Sequence, residues 1–217
     1  DQFGLDVFLQ LDPFTPVKAR KTPVVSVLYD LIPFLYKEQY QHVHLGGYSP
    51  GHLIGYSRMR LKWKLLEKQL AKYKQAERIV SISEYSKKDL VAFIPNIDPK
   101  RIAVTPLGPG SSKTKPRVSK RLSTLKNKNF LFYLGGVDPR KGLVSFTKDM
   151  EKIWAKHPET MVVFAGKEIV DYEIPEARKL RDAIKSSSKN KQILTFGYVD
   201  DGEMYWLYEN ASAFVFP

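Results

Sequence analysis

The chain has no cysteine. That excludes disulfides and thiolate metal sites, and it is compatible with the cytosol. No uninterrupted apolar run approaches the roughly 18 residues that a membrane-spanning helix requires. No secretory leader is visible either. The opening DQFGLDVFLQ has neither an initiator Met nor a charged leader and reads as the interior of a longer protein. The common chemical signatures are missing as well. There is no G-x-x-x-x-G-K-[ST] loop, no G-x-G-x-x-G opening a helix, no H-E-x-x-H and no nucleophile elbow. Gly108-Pro109-Gly110 spells G-x-G, but a basic stretch follows it rather than a helix. Nicotinamide enzymes, P-loop enzymes, zincins and serine hydrolases are thereby set aside.

What is present is an ordinary soluble composition, 43% apolar over 217 residues, enough for one large or two small domains. The formal charge is +12, an excess that suits nucleic acid, an anionic lipid surface or a phosphorylated substrate. Its location narrows the choice. Ser111 to Asn129, SSKTKPRVSKRLSTLKNKN, is polar, dense in Lys and Arg and has little apolar periodicity, so it reads as a linker between two domains. Part of the charge therefore belongs to a connector. No platform of interleaved aromatic and basic residues stands out, and nucleic acid is not an expected partner.

Before the linker, residues 1–110 alternate strand and helix signals. Asp6 to Leu11 and the β-branched PVVSVLY of residues 23–29 read as strands. Tyr29 and Asp30 then fall at a strand's carboxyl end, where open α/β sheets place functional groups; a turn or helix cap is the plainer role for Asp30. His42, His44 and His52 lie in a Gly- and Ser-rich stretch. No third ligand has helpful spacing, so a loop is expected there and no metal. Residues 57–78 form the longest helix candidate. Met59, Trp63, Leu66, Leu70 and Tyr73 make one stripe and seven Lys or Arg crowd the rest. Such a helix suits either an anionic membrane surface or a place on a sheet. RIVSIS (78–83), a helix capped by Ser83 or Ser86 and stopped by Pro95, and RIAVT (101–105) complete the half.

Residues 129–217 repeat the grammar, with strands at 130–134, 161–165, 192–196 and 213–216. The helices between them start near Leu143, Pro175 and Gly202, the last capped by Asp201. The most informative segment is NFLFYLGGVDPRKGL, residues 129–143. A buried strand turns through Gly135 and Gly136, and Arg140 and Lys141 precede a helix start. Glycines let backbone amides approach a ligand, a helix N-terminus offers unpaired N–H groups, and the cations add charge, which together suit a diphosphate.

Six segments in order resemble one family: VSVLYDLIP, RIVSISEYSKKDL, RIAVTPLGPG, YLGGVDPRKGL, VVFAGKE and ILTFGYVDDGEMYWLYENASAFVFP. The chain is similar to family 4 of the retaining, nucleotide-sugar-dependent glycosyltransferases, also called glycosyl transferases group 1. The resemblance implies an α/β GT-B fold of two Rossmann-like parallel-sheet halves, here both incomplete. Residues 1–110 would be the acceptor side, 111–128 the linker and 129–217 the donor side. It implies a hexosyltransferase that moves a sugar with retention from a nucleoside-diphosphate sugar to a glycan, lipid-linked or protein acceptor in cell-surface polysaccharide synthesis. Neither metal nor other cofactor is expected. The place would be the cytoplasm or the inner face of the membrane, with the 57–78 helix meeting anionic lipid. A non-catalytic module binding a partner or nucleotide is the alternative. By resemblance, Gly135, Gly136, Arg140 and Lys141 hold the diphosphate, Gly166 and Lys167 lie near the nucleotide, and Tyr198 and Val199 near its base. Tyr29 and Asp30 face the sugar and acceptor as the catalytic candidates. Two departures stand out: Gly135-Gly136 where Gly-Arg is frequent, and Tyr29 where His is frequent. The family's donor-binding glutamates would follow Pro217.

Overall fold

The computed structural model of the protein describes residues 4–11, 21–37, 63–68, 70–108, 110, 114–171 and 173–217. They form two compact units, Asp1–Gly110 and Ser111–Pro217. The histidine-rich stretch with His42, His44 and His52 lies outside the described residues.

The first unit is a parallel sheet of β1 (Phe8–Gln10), β2 (Val24–Leu28), β3 (Arg78–Ser81) and β4 (Ile102–Val104), side by side in that order. β2 runs into a short helix, α1 (Ile32–Leu35), and β3 into α2 (Glu84–Phe93). Ser83 caps α2 by accepting from Ser86 N at 3.1 Å, and the chain turns extended at Ile94, as the following proline requires. Leu28, Leu31, Ile79, Leu90, Ile94 and Ile102 form the core with Leu70 and Tyr73. The Tyr73 hydroxyl donates to Val27 O at 3.2 Å.

These last contacts alter the reading of residues 57–78. Residues 63–68 and 70 are helical, and Ala71–Lys74 tightens into a 3-10 turn, so the helix ends before 78. Trp63, Leu70 and Tyr73, three of the five residues in the proposed lipid-facing stripe, are buried in the protein. The sheet, not a bilayer, is what their apolar side serves. Among the described residues, no helix is long and apolar enough to cross a membrane.

The second unit contains β5 (Phe130–Leu134), β6 (Met161–Ala165), β7 (Ile193–Phe196) and β8 (Ala213–Phe214). All pair in parallel, in the order β7-β6-β5-β8. α3 (Leu143–Trp154), α4 (Pro175–Ser186) and α5 (Asp201–Asn210) make the crossovers. One face of the sheet packs on α3 and α4 through Tyr133, Phe164, Met150, Trp154, Ala177 and Leu180. The other packs on α5 through Phe130, Phe132, Val163 and Leu207.

Two residues of the expected linker, Leu122 and Leu125, are built into this second core. Lys120–Leu125 is a 3-10 helix, and Leu122 and Leu125 are 0% and 1% exposed. Leu122 and Leu125 are spaced i, i+3, but two leucines among the eight polar residues of 119–128 are too few to stand out as a periodic signal. The cap of α5 also differs from expectation. It is Asp200, whose side chain accepts from Glu203 N at 3.0 Å in a reciprocal capping box with Glu203. Asp201 is the first helical residue.

Candidate functional site

In the second unit the strand order reverses between β5 and β8, so crossovers leave the sheet to opposite sides there and a crevice opens at the carboxyl ends. Gly135 and Gly136 lie at that end of β5. Gly135 N donates to Ala165 O at 2.9 Å. Gly135 and Gly166 both have positive φ, +155° and +148°, and they are pressed together: a Cβ on Gly166 would overlap the Gly135 carbonyl. This pair is glycine because the ends of β5 and β6 touch there. The Tyr133 hydroxyl donates to Gly136 O at 2.6 Å. Burial pushes that hydroxyl up to about 12, so it remains a protonated donor holding the corner in place.

Above the corner sits Lys141. Its Nζ is 3.1 Å from where a Gly135 Cβ would lie and 5.9 Å from the Phe216 ring centroid. The loop that places it is short and self-capped. Pro139–Lys141 is a 3-10 turn whose Asp138 side chain accepts from Arg140 N at 3.1 Å. Gly142, at φ +62°, then redirects the chain into α3. α3 begins without a side-chain cap, leaving first-turn N–H groups with no intrahelical partner at the positive end of its dipole. An ammonium group thus overlies the glycine corner, and an uncapped helix start follows Lys141 two residues along the chain, an arrangement that suits an anion with several oxygens.

The other expected residues are less uniformly placed. Arg140 adjoins Lys141 but pairs with Asp138, Nε to Oδ2 at 3.3 Å, so its charge is partly offset within the loop. Lys167 is exposed directly after Gly166. Tyr198 is 70% exposed on the loop after β7, whereas the Val199 side chain is buried against the α5 face of the core. Only the backbone of Val199 can meet a ligand. Tyr29 and Asp30 belong to the first unit, at the carboxyl end of β2. Tyr29 O accepts from Ser86 Oγ at 2.9 Å, and Asp30 Oδ1 accepts from Ile32 N at 3.0 Å. Of the two plainer roles for Asp30, the turn is present, whereas the N-cap of α1 is Leu31.

Three participants were not found from sequence. Glu168 reaches across from the turn after β6, and its Oε2 accepts from Val137 N at 3.0 Å. It fills the space that a side chain at Gly136 would need. Arg121, from the expected linker, donates Nε to Glu203 Oε1 at 3.0 Å and Nη2 to both Glu203 Oε2 and Tyr198 O, the latter at 2.8 Å. It also lies 5.8 Å from the Phe196 ring centroid. The Arg121 hydrogen bond holds the Glu203 carboxyl far down, at about 2. Arg117 pairs with Asp200 next to it. This clasp fixes the loop that carries Tyr198. Asp200-x-x-Glu203 has the spacing of a capping box and was the one sequence signal for it.

The sequence profile of the glycosyl transferases group 1 family matches residues 114–217. The second unit is a group 1 glycosyltransferase domain. Its glycine corner, Lys141 and the Arg121 clasp all fall within the matched residues. No curated protein sequence matches the chain significantly. Solved structures resemble it throughout. Sucrose-phosphate synthase from Thermosynechococcus elongatus aligns with 100% of this chain and 51% of its own, at TM-score 0.67 and 14% identity. HepE from Anabaena in complex with UDP-glucose aligns with 89% of this chain and 46% of its own, at 0.56 and 12%. A glycosyltransferase from Rickettsia africae aligns with 98% of this chain and 51% of its own, at 0.56 and 13%. The fold is therefore the GT-B type, and the chain spans about half the length of the structures it resembles.

Proposed function

We propose that the protein is a glycosyltransferase that moves a hexose from a nucleoside-diphosphate sugar, with retention and without a metal, to a glycan, lipid-linked or protein acceptor. The observation that carries this reading is Lys141 Nζ poised over Gly135 beside the uncapped start of α3. As the bond between the anomeric carbon and the diphosphate breaks, negative charge grows on the leaving phosphate. Lys141 and the corner amides offset that charge from fixed positions, a role worth roughly 3–4 kcal/mol per donor in preorganised sites. The acceptor hydroxyl attacks from the face the diphosphate leaves, and its proton passes toward the departing phosphate, which preserves the anomeric configuration.

A uridine nucleotide is supported by the structural likeness to HepE, which was solved with UDP-glucose. Tyr198 stands exposed on a loop held by Arg121 and is the candidate for stacking on the base. In the first unit, Asp30 Oδ2 is the oxygen left to meet a sugar or acceptor hydroxyl, since Oδ1 holds Ile32 N. A lipid-linked acceptor is supported by Lys64, Lys68 and Lys74, exposed on the segment whose apolar residues face the core. Any membrane contact there is electrostatic. Binding to vesicles containing phosphatidylserine should then disappear as salt is raised toward 0.5 M, because screening shortens to about 4–5 Å.

The test is turnover across a panel of nucleoside-diphosphate hexoses, read as release of free nucleoside diphosphate. One donor should be used preferentially, and Lys141→Ala should lower its kcat by about 100-fold or more. No release with any donor, or equal release by the variant, would refute the reading.

A further inference from the structure

Among the described residues, the glycine corner has one anionic occupant of its own. The Glu168 carboxylate accepts from Val137 N at 3.0 Å and overlies Gly136, while Lys141 overlies Gly135. An amide N–H donates strongly to one acceptor at a time, so a phosphate oxygen at Val137 N and the Glu168 carboxylate exclude one another. Glu168 is itself exposed and stands after Gly166 on a four-residue 3-10 turn. The side chain can swing out into water without disturbing the buried sheet.

Resting on the donor-site reading above, we infer that Glu168 is a specificity-determining residue that sets how much phosphate charge the corner accepts. A nucleotide sugar carries its diphosphate as a diester. The free nucleoside diphosphate has a terminal phosphate with a further ionisation near pH 6, and so carries about one more negative charge at neutral pH. Even when it has swung off Val137 N, a carboxylate tethered next to the corner repels the more highly charged species more strongly. It therefore disfavours the leaving product relative to the incoming donor, and eases release after transfer. The alternative role, bracing the corner through the Val137 hydrogen bond, makes the opposite demand, because a brace would strengthen binding of either ligand.

The two roles separate on Glu168→Gln and Glu168→Ala. Glutamine keeps an acceptor for Val137 N without the charge, and alanine removes both. UDP and UDP-glucose are titrated calorimetrically into the 217-residue protein and each variant, with melting curves to confirm folding. The inference expects both variants to bind UDP at least fivefold more tightly, with UDP-glucose tightened less than twofold. Equal tightening of the two ligands, no change, or weaker binding overturns it. Lys141→Ala is run in parallel. If that variant loses UDP while the Glu168 variants leave it unchanged, the donor-site reading stands and this inference falls. If no variant and no ligand shows binding, both fall.

Discussion

Gly166 is the residue on which the corner depends most directly. Its φ of +148° and its contact with the Gly135 carbonyl leave no room for a side chain. Gly166→Ala should cost about 2–4 kcal/mol in chemical denaturation, and it should weaken ligand binding more than its distance from Lys141 suggests. Glu203 makes a different kind of prediction. Its folded-state carboxyl is depressed from 4.5 to about 2, chiefly by the Arg121 hydrogen bond. A depressed carboxyl stabilises the fold above its ordinary titration range and ceases to do so as pH falls through the folded value. The wild type should therefore lose stability between about pH 5 and pH 2, by an amount on the order of 2–3 kcal/mol greater than Glu203→Gln loses. Urea denaturation at stepped pH measures the difference. Parallel losses in the two proteins would show that the clasp contributes nothing to the acid limb.

Elements whose signal is local were legible in the sequence. Phe130–Leu134 and Met161–Ala165 fall where apolar runs of strand length placed them, and α3 starts at Leu143 after Gly142, as the glycine suggested. Elements that depend on a partner far along the chain were not. Ser111 to Asn129 read as a basic connector because lysine and arginine dominate it. Leu122 and Leu125 nonetheless enter the core, and Arg121 reaches Glu203, a contact 82 positions away. Leu122→Ala tests this directly. In a free linker the change would be neutral within about 0.5 kcal/mol; in the core it should cost roughly 2–4 kcal/mol. The 57–78 segment shows the same limit from the other side. Its apolar stripe was plain, but whether the stripe meets lipid or protein is decided by a sheet that the stripe does not encode.

At the scale of the molecule, alternating strands and helices implied two parallel sheets, and two four-stranded parallel sheets are present. The order β7-β6-β5-β8 was not readable from alternation alone, since crossovers of similar length permit several orders. That order puts the glycine corner at a reversal point and so makes NFLFYLGGVDPRKGL a site as well as a strand end. Of the expected site residues, Gly135, Gly136, Lys141 and Gly166 meet at this corner, whereas Arg140 pairs with Asp138. Glu168 ends the VVFAGKE segment yet was passed over, because its importance comes only from the pairing of β6 with β5. The account as a whole rests on Lys141 holding an anionic diphosphate at that corner. Calorimetric titration of UDP-glucose into the wild type and Lys141→Ala measures this most directly. A dissociation constant at least tenfold weaker in a variant of unchanged melting temperature is the predicted result; equal affinity in the two proteins would contradict the account.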